Sequence, residues 1–165
     1  MPTLILMRHA KSSWDQPGPD HDRPLAPRGH ASARAMGDWL RRQGAVPDAA
    51  LCSSARRTRD TFAGLGLECP VDVTPRLYHA SAEEMLSILR NASASCLLLV
   101  GHNPGIADLA ARLVRTPPDH PRFADYPTCA TLIAELGAAR WDAAEWHGAT
   151  ARAFAIPREV IAGHA

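Results

Sequence analysis

Two arginines and two histidines follow short apolar runs in this sequence, and together they could carry out phosphate chemistry. Arg8 and His9 come directly after one run, Arg57 lies shortly after a second, and His102 lies just beyond a third. A guanidinium offers a planar fork of N–H donors that fits phosphate oxygens. A neutral imidazole can attack phosphorus and hold the phosphoryl group as phosphohistidine, while surrounding positive charge stabilises the transferring oxygens. These residue types therefore predict phosphoryl transfer without a metal ion.

Apolar runs alternate with amphipathic segments, and this alternation predicts the elements that must position the four side chains. The predicted strands cover residues 3–7, 49–52, 71–73, 96–100, 128–136 and 150–156. The predicted helices cover residues 29–43, 56–65, 81–90 and 106–114. Such alternation indicates a three-layer α/β/α domain, with helices on both faces of a mostly parallel central sheet. Ligands of these sheets bind beyond the carboxyl ends of the strands, so we expect the three clusters to meet there.

Composition excludes several other classes of protein. The chain has 165 residues, of which 46% are hydrophobic, and this is enough for one globular domain over residues 1–165. A net charge of +1 and an aromatic content of 5% argue against a nucleic-acid surface. No apolar run reaches the ~20 residues of a membrane span, and the first residues lack the pattern of a secretory signal, so we expect a cytoplasmic protein without a membrane contact. The four cysteines have no paired spacing, so neither a disulfide framework nor a zinc site is expected.

Several motifs in one order resemble the histidine phosphatase superfamily, and in particular its SixA-type branch. The residues that carry this resemblance are the Arg-His-Ala signature within 6–14, the Arg-Pro-Leu segment within 22–29, the S-x-x-x-R-x-x-x-T element in 53–61, the second-histidine motif in 100–105 and the F-x-x-Y-P-T segment in 123–128. An Arg-His-Ala triplet alone would be weak. Ordered motifs that span most of a short chain are far more specific. The fold that the resemblance implies is a phosphoglycerate mutase-like α/β domain.

The resemblance implies a role for each of the four chemical residues. His9 would be the nucleophile that carries the phosphoryl group. Arg8 and Arg57 would hold the phosphate oxygens, and His102 would be the second histidine of the pocket. No cofactor and no metal ligand are implied.

Three further positions follow from the same motifs. Alignment from Ser53 gives Arg57, rather than Arg56, as the pocket arginine, and Arg56 would face elsewhere. Arg23 and Asn103 are expected to contact the substrate, because they stand in the Arg-Pro-Leu segment and next to the second histidine. Ser53 and Ser54 are expected to end their strand and to cap the helix that carries Arg57.

The proton donor is the point at which the sequence departs from the family pattern. Many members carry a glutamate shortly after a leucine in this region, whereas here His79 occupies that position. Glu83 is a second candidate, although an acid in the first turn of a helix also favours the helix dipole. Glu84 forms a capping-box pattern with Ser81. An imidazole leaving group is readily protonated near neutral pH, so the missing carboxylic acid favours a phosphohistidine substrate.

The expected function is therefore a metal-independent phosphatase that acts through phosphohistidine at His9. The preferred substrate is a phosphohistidine on a protein, such as a histidine-phosphotransfer domain, because a chain this short has little room for a lid over the pocket. A broad phosphatase of small phosphate esters and a catalytically silent phosphate-binding module are the two alternatives. The intact set of arginines and histidines argues against the silent module.

Overall fold

A six-stranded sheet forms the centre of the computed structural model, which describes residues 1–165. Its strands are β1 (Thr3–Arg8), β2 (Ala49–Ser53), β3 (Val71–Thr74), β4 (Cys96–Gly101), β5 (Thr131–Glu135) and β6 (Thr150–Ala155). The order across the sheet is β3-β2-β4-β1-β5-β6. The first four strands in this order are parallel to one another, whereas β5 is antiparallel to both β1 and β6. The predicted mostly parallel sheet is confirmed.

Helices cover both faces of the sheet, as the alternating pattern predicts. They are α1 (Pro27–Arg42), α2 (Arg56–Gly64), α3 (Ala82–Leu89), α4 (Gly105–Leu113) and α5 (Pro157–Ile161). One hydrophobic core lies under α3 and α4, and a second lies under α1, α2 and α5. Strand β1 serves both cores, because Leu4 and Leu6 face the first whereas Ile5 and Met7 face the second. None of the helices has the length and apolar character needed to cross a membrane.

Two boundaries differ from the sequence prediction by more than one residue, and one helix was not predicted; each difference has a local cause. Strand β5 begins at Thr131 rather than at residue 128, because Tyr126 and Cys129 adopt positive φ angles of 48° and 62° in a turn. Helix α1 begins at Pro27, whose fixed φ suits the first helical position. Helix α5 was not predicted, since its five residues are too few to show a helical period.

Two glycines allow helices to approach the loops around the strand ends. A Cβ on Gly29 of α1 would lie 2.1 Å from the carbonyl oxygen of Lys11. A Cβ on Gly105, the first residue of α4, would lie 2.1 Å from the carbonyl oxygen of Ala80. A side chain at Gly29 would push α1 away from the loop that follows β1. A side chain at Gly105 would push α4 away from the loop that carries His79.

Candidate active site

The carboxyl ends of three neighbouring strands bring the predicted residues into one pocket. Because β2, β4 and β1 are adjacent and parallel, the segments that follow them meet at one edge of the sheet. The ring centroids of His9 and His102 lie 5.3 Å apart. Both histidines are buried, as is Arg57. The convergence that the sequence predicted is therefore present in the structure.

His9 presents a neutral imidazole with one free nitrogen. Its Nδ1 lies 2.7 Å from the carbonyl oxygen of Ala10, and because a carbonyl only accepts, Nδ1 carries the proton. The lone pair is consequently on Nε2. Burial, and then the positive charges of Arg8, Arg57 and Arg23, lower the pKa of His9 to about 4. The ring is therefore uncharged at neutral pH, as a nucleophile must be.

Helix α2 fixes the backbone next to His9. The amide of Ala10 donates to Thr61 Oγ1 at 2.9 Å, and the Thr61 hydroxyl donates to the carbonyl oxygen of Arg57 at 2.7 Å. Thr61 is the last residue of the S-x-x-x-R-x-x-x-T element. Its contacts explain the spacing, because they join the His9 loop to the helix that carries Arg57.

His102 is held by the end of β2. Its Nε2 lies 2.7 Å from Ser53 Oγ, and burial followed by the neighbouring His9 and Arg57 lowers its pKa to about 3. The predicted capping role of Ser53 and Ser54 is wrong, because α2 has Ala55 at its N-cap position and no side-chain cap. The Ser53 hydroxyl instead contacts the second histidine.

Adjacent arginines on α2 have opposite environments, as the motif register predicted. Arg57 is only 4% exposed, and its Nη1 and Nη2 donate to the backbone oxygen and to the carboxylate of Asp20. Arg56 is exposed and pairs with Asp60 on its own helix at 3.5 Å. The ~100° turn between consecutive helical residues separates the two guanidinium groups.

Arg8, Arg57 and His102 each carry a buried nitrogen atom without a hydrogen-bond partner. These atoms are Arg8 Nε, Arg57 Nε and His102 Nδ1, and every other buried side-chain nitrogen or oxygen of the chain has a partner. Arg8 also donates through Nη1 to the carbonyl oxygen of Tyr126 at 3.2 Å. Unpartnered buried polar groups are rare in folded proteins, so three in one pocket indicate the place of an anionic ligand.

Asp20 is a functional candidate that sequence reasoning missed. Its carboxylate accepts from Arg57 Nη2 at 3.1 Å, from Arg23 Nε at 3.0 Å and from the Tyr78 hydroxyl at 2.6 Å. The hydrogen bond from Tyr78, together with the two arginines, holds the pKa of this carboxyl far below its usual range. Asp20 stands in a proline-rich loop without a recognisable motif, so no signal in the sequence marked it.

Arg23 lies beside the pocket, where the Arg-Pro-Leu segment predicted it. Besides its bond to Asp20, it donates through Nη1 to Ser12 Oγ at 2.8 Å. Its guanidinium stacks 3.5 Å from the centroid of the Trp14 ring. Trp14 is 72% exposed and forms part of the rim.

The structure gives Asn103 contacts that position a turn, and its expected contact with the substrate stays a prediction. Its Nδ2 donates to the carbonyl oxygens of Asp125 and Tyr126 at 3.0 and 3.1 Å. Its Oδ1 accepts from the amide of Ala107 in α4 at 3.2 Å. Both ends of the amide are thus bound to backbone, and Asn103 fixes the turn whose Tyr126 carbonyl also receives Arg8.

The two candidate proton donors differ in their surroundings. His79 is exposed, has a positive φ of 61°, and lies 6.0 Å from the His102 ring across a cavity of about 380 Å³. Glu83 instead pairs with Arg112 of α4, whose hydrogen bond lowers the pKa of the Glu83 carboxyl. An ionised carboxylate cannot donate a proton, so Glu83 is disfavoured as the acid. Glu84 forms the predicted capping box with Ser81.

Comparison with known proteins agrees with this geometry. Residues 4–85 match the sequence model of the histidine phosphatase superfamily (branch 1). An uncharacterized protein of Mycobacterium leprae (strain TN) is 35% identical over 162 residues, which cover 92% of this chain and 100% of that protein.

Two solved structures share the whole fold. A candidate phosphohistidine phosphatase SixA from Nakamurella multipartitia is 31% identical, with a TM-score of 0.83 over 94% of this chain and 96% of its own. A candidate SixA from Agrobacterium tumefaciens is 25% identical, with a TM-score of 0.76 over 95% of this chain and 99% of its own. The present chain therefore belongs to the SixA-type branch of the histidine phosphatase superfamily.

Proposed function

We propose that this phosphatase works through a phosphohistidine at His9 and that its substrate is a phosphohistidine on another protein. One observation carries the proposal. The nitrogens of Arg8, Arg57 and His102 that lack partners are buried in the same pocket as His9, whose Nε2 lone pair is free. An oxyanion would supply the missing acceptors, and a phosphoryl group would place phosphorus within reach of that lone pair.

In the first half-reaction, His9 Nε2 attacks phosphorus. The Nε2–P bond forms while the bond from phosphorus to the leaving nitrogen breaks, and the electron pair of that bond stays on the leaving nitrogen. A phosphohistidine ring that is protonated on its other nitrogen leaves as a neutral imidazole. No general acid is then needed, because the phosphoryl group passes between two imidazoles of similar basicity.

In the second half-reaction, water attacks the phosphorus of phospho-His9. The O–P bond forms, the Nε2–P bond breaks, and the pair of electrons returns to Nε2. The proton lost by the attacking water passes to the inorganic phosphate product or to bulk water, and neutral His9 is restored. The Nδ1 proton stays on His9 throughout and is donated to the Ala10 carbonyl oxygen, which keeps the ring in one orientation.

Arginine and histidine donors stabilise the transition state in this scheme. Arg8 and Arg57 face the equatorial oxygens through charge-assisted hydrogen bonds. Ser53 Oγ accepts from the amide of Ala55 at 3.3 Å, so its own proton is free for His102 Nε2. His102 then donates from Nδ1 to the phosphate. These donors supply the positive charge that a divalent ion provides in many phosphatases, so we propose that no metal is required.

Small phosphate esters are the second candidate substrates. The exposed His79 faces the cavity beside His102 and could protonate the ester oxygen of a small leaving group. A protein substrate is preferred because this cavity is open and because no carboxylic acid serves the leaving group. The His79→Gln change separates the two cases, since it should slow ester hydrolysis more than phosphohistidine hydrolysis.

The test is a side-by-side assay of the purified protein with a phosphorylated histidine-phosphotransfer domain and with p-nitrophenyl phosphate. We expect faster turnover of the phosphohistidine, unchanged activity after treatment with a chelator, and an acid-labile phosphate on His9 in samples quenched during turnover. Faster turnover of the ester would support the second candidate. Activity that is lost on chelation and restored by magnesium or zinc would contradict the metal-free scheme.

A further inference from the structure

A cleft of about 450 Å³ beside the His9 loop is lined by four cations and by no carboxylate. The cations are Lys11, Arg28, Arg122 and Arg158. They include the only lysine among the 18 basic residues of the chain. With a net charge of only +1, the whole protein has no general excess of positive charge, so this concentration is local. We call this surface the basic cleft.

The same two backbone segments border both the basic cleft and the pocket. Lys11 stands two residues after His9, and its carbonyl oxygen accepts from the amide of Ala26 at 2.9 Å, at the start of α1. On the other side, residues 127 and 128 line the cleft next to Tyr126, whose carbonyl oxygen receives Arg8. A partner bound in the cleft would therefore lie against the loop that carries the nucleophile.

The cations of the cleft are not arranged to grip one small anion. Only Arg122 is in an ion pair, with Asp125 at 2.9 Å, whereas Lys11, Arg28 and Arg158 are exposed and unpaired. A single pair between exposed charges contributes little, because water screens it. Several exposed charges of one sign act together on an extended surface of opposite charge, chiefly by steering its approach.

One side of the cleft is apolar, and this places a second requirement on the surface of any partner that binds there. Ile161 is 60% exposed at the end of α5, and Ile156 and Pro157 line the cleft beside it. A free phosphate gains nothing from such a surface, whereas a protein surface with acidic and apolar side chains satisfies both parts.

We infer that the basic cleft docks an acidic surface that flanks the phosphohistidine of the protein substrate. This inference rests on the proposed function and specifies its substrate as a protein with acidic residues near the phosphorylated site. The charges act on encounter and affinity rather than on the chemical step, because none of the cleft cations shares the buried pocket.

The test uses three phosphohistidine peptides that differ only in the flanking residues, which are glutamate, glutamine or lysine. We expect the wild-type kcat/KM to be highest with the glutamate flanks and lowest with the lysine flanks, by roughly tenfold across the series and through KM. The double variant Arg28→Glu/Arg158→Glu should reverse this order while keeping kcat for the glutamine peptide. High salt should compress the differences.

Arg34→Glu is the matched control, because Arg34 is exposed on the same helix as Arg28 but does not line the cleft. The inference is overturned if the flanks have no effect on the wild type, or if Arg34→Glu changes the order as strongly as the double variant. A rise in KM for p-nitrophenyl phosphate in the double variant would instead assign the cleft to small anions. If the proposed function itself fails, none of the peptides is hydrolysed and no phospho-His9 forms, whatever the flanks.

Discussion

The pocket and the basic cleft use the same kind of side chain in opposite surroundings. In the pocket, Arg57 is 4% exposed and both of its Nη groups are engaged by Asp20. In the cleft, Arg28 and Arg158 are exposed and unpaired. A buried guanidinium that is already held by hydrogen bonds loses little conformational freedom when a ligand binds, and its charge interacts strongly with the ligand in a low dielectric. The charge of an exposed guanidinium is screened by water and has an effect only together with neighbouring charges. Burial therefore separates the arginines suited to stabilising a transition state from those suited to attracting an acidic partner.

Asp20 explains how folding alone orients Arg57 and Arg23 at the pocket. Its carboxylate balances part of the charge of Arg57 and Arg23 and receives the Tyr78 hydroxyl. The arginines are thus oriented by folding rather than by the substrate. The cleft has no such central carboxylate, which is consistent with a surface that an acidic partner completes.

The largest expected effect is that of His9→Ala. This change removes the proposed nucleophile and should abolish turnover, because no second imidazole in the pocket is held with Nδ1 on a carbonyl oxygen and Nε2 free to attack. The fold should persist, since the His9 side chain contributes only the hydrogen bond to Ala10. Steady-state kinetics and circular dichroism check both parts. Activity near that of the wild type would contradict the role of His9.

Arg57→Ala should have the next largest effect, with Arg56→Ala as its neighbour control. Loss of a donor aimed at the transition state typically lowers the rate by ~10²–10³. Arg57→Lys should restore only part of this, because a compact ammonium group cannot replace a planar guanidinium that holds Asp20 through both Nη groups while Nε faces the pocket. Arg56→Ala should change kcat little, since Arg56 is exposed and pairs only with the half-buried Asp60 of its own helix. If Arg56→Ala proved the more damaging, the register of α2 over the pocket would be wrong.

Asp20→Asn should lower kcat by about tenfold, a smaller effect than removal of Arg57. In this variant the backbone oxygen of residue 20 still accepts from Arg57 Nη1, but the three hydrogen bonds to the side chain become weaker because the negative charge is gone. Because the negative charge of Asp20 raises the pKa of His102 slightly, its removal should also move the acid limb of the pH–rate profile to lower pH. Asp22→Asn is the control, because Asp22 is exposed and contacts only His21. An unchanged pH profile would reduce Asp20 to a structural role.

The contrast between His9 and Asp20 shows what the sequence could and could not predict. The strands, four of the helices and the site residues His9, Arg57 and His102 follow from local patterns and ordered motifs. Asp20 acts through contacts with Arg57 and Tyr78, which are 37 and 58 residues away, and no local pattern encodes such contacts. Similarly, the sequence places Asn103 next to the second histidine, but its bonds to the carbonyls of a turn 22 and 23 residues away follow only from the fold.

The smallest effect at neutral pH concerns stability, and it grows on acidification. The folded-state pKa values of His9 and His102 are about 4 and about 3, below the value of about 6.5 in the unfolded chain. As the pH falls below 6.5, the unfolded state binds protons that the folded state refuses, so the free energy of unfolding must decrease. Near pH 5 the loss should be on the order of 2 kcal/mol for each histidine. Asp20 does not contribute in this range, because its lowered pKa affects stability only below its unfolded value near pH 4. Urea unfolding of the wild type and of His9→Ala/His102→Asn between pH 7 and 4.5, in buffer free of phosphate, measures the effect. The double variant should lose most of the slope. An equal slope in both proteins would mean that these two imidazoles titrate alike in the folded and unfolded states, and would contradict the lowered pKa values.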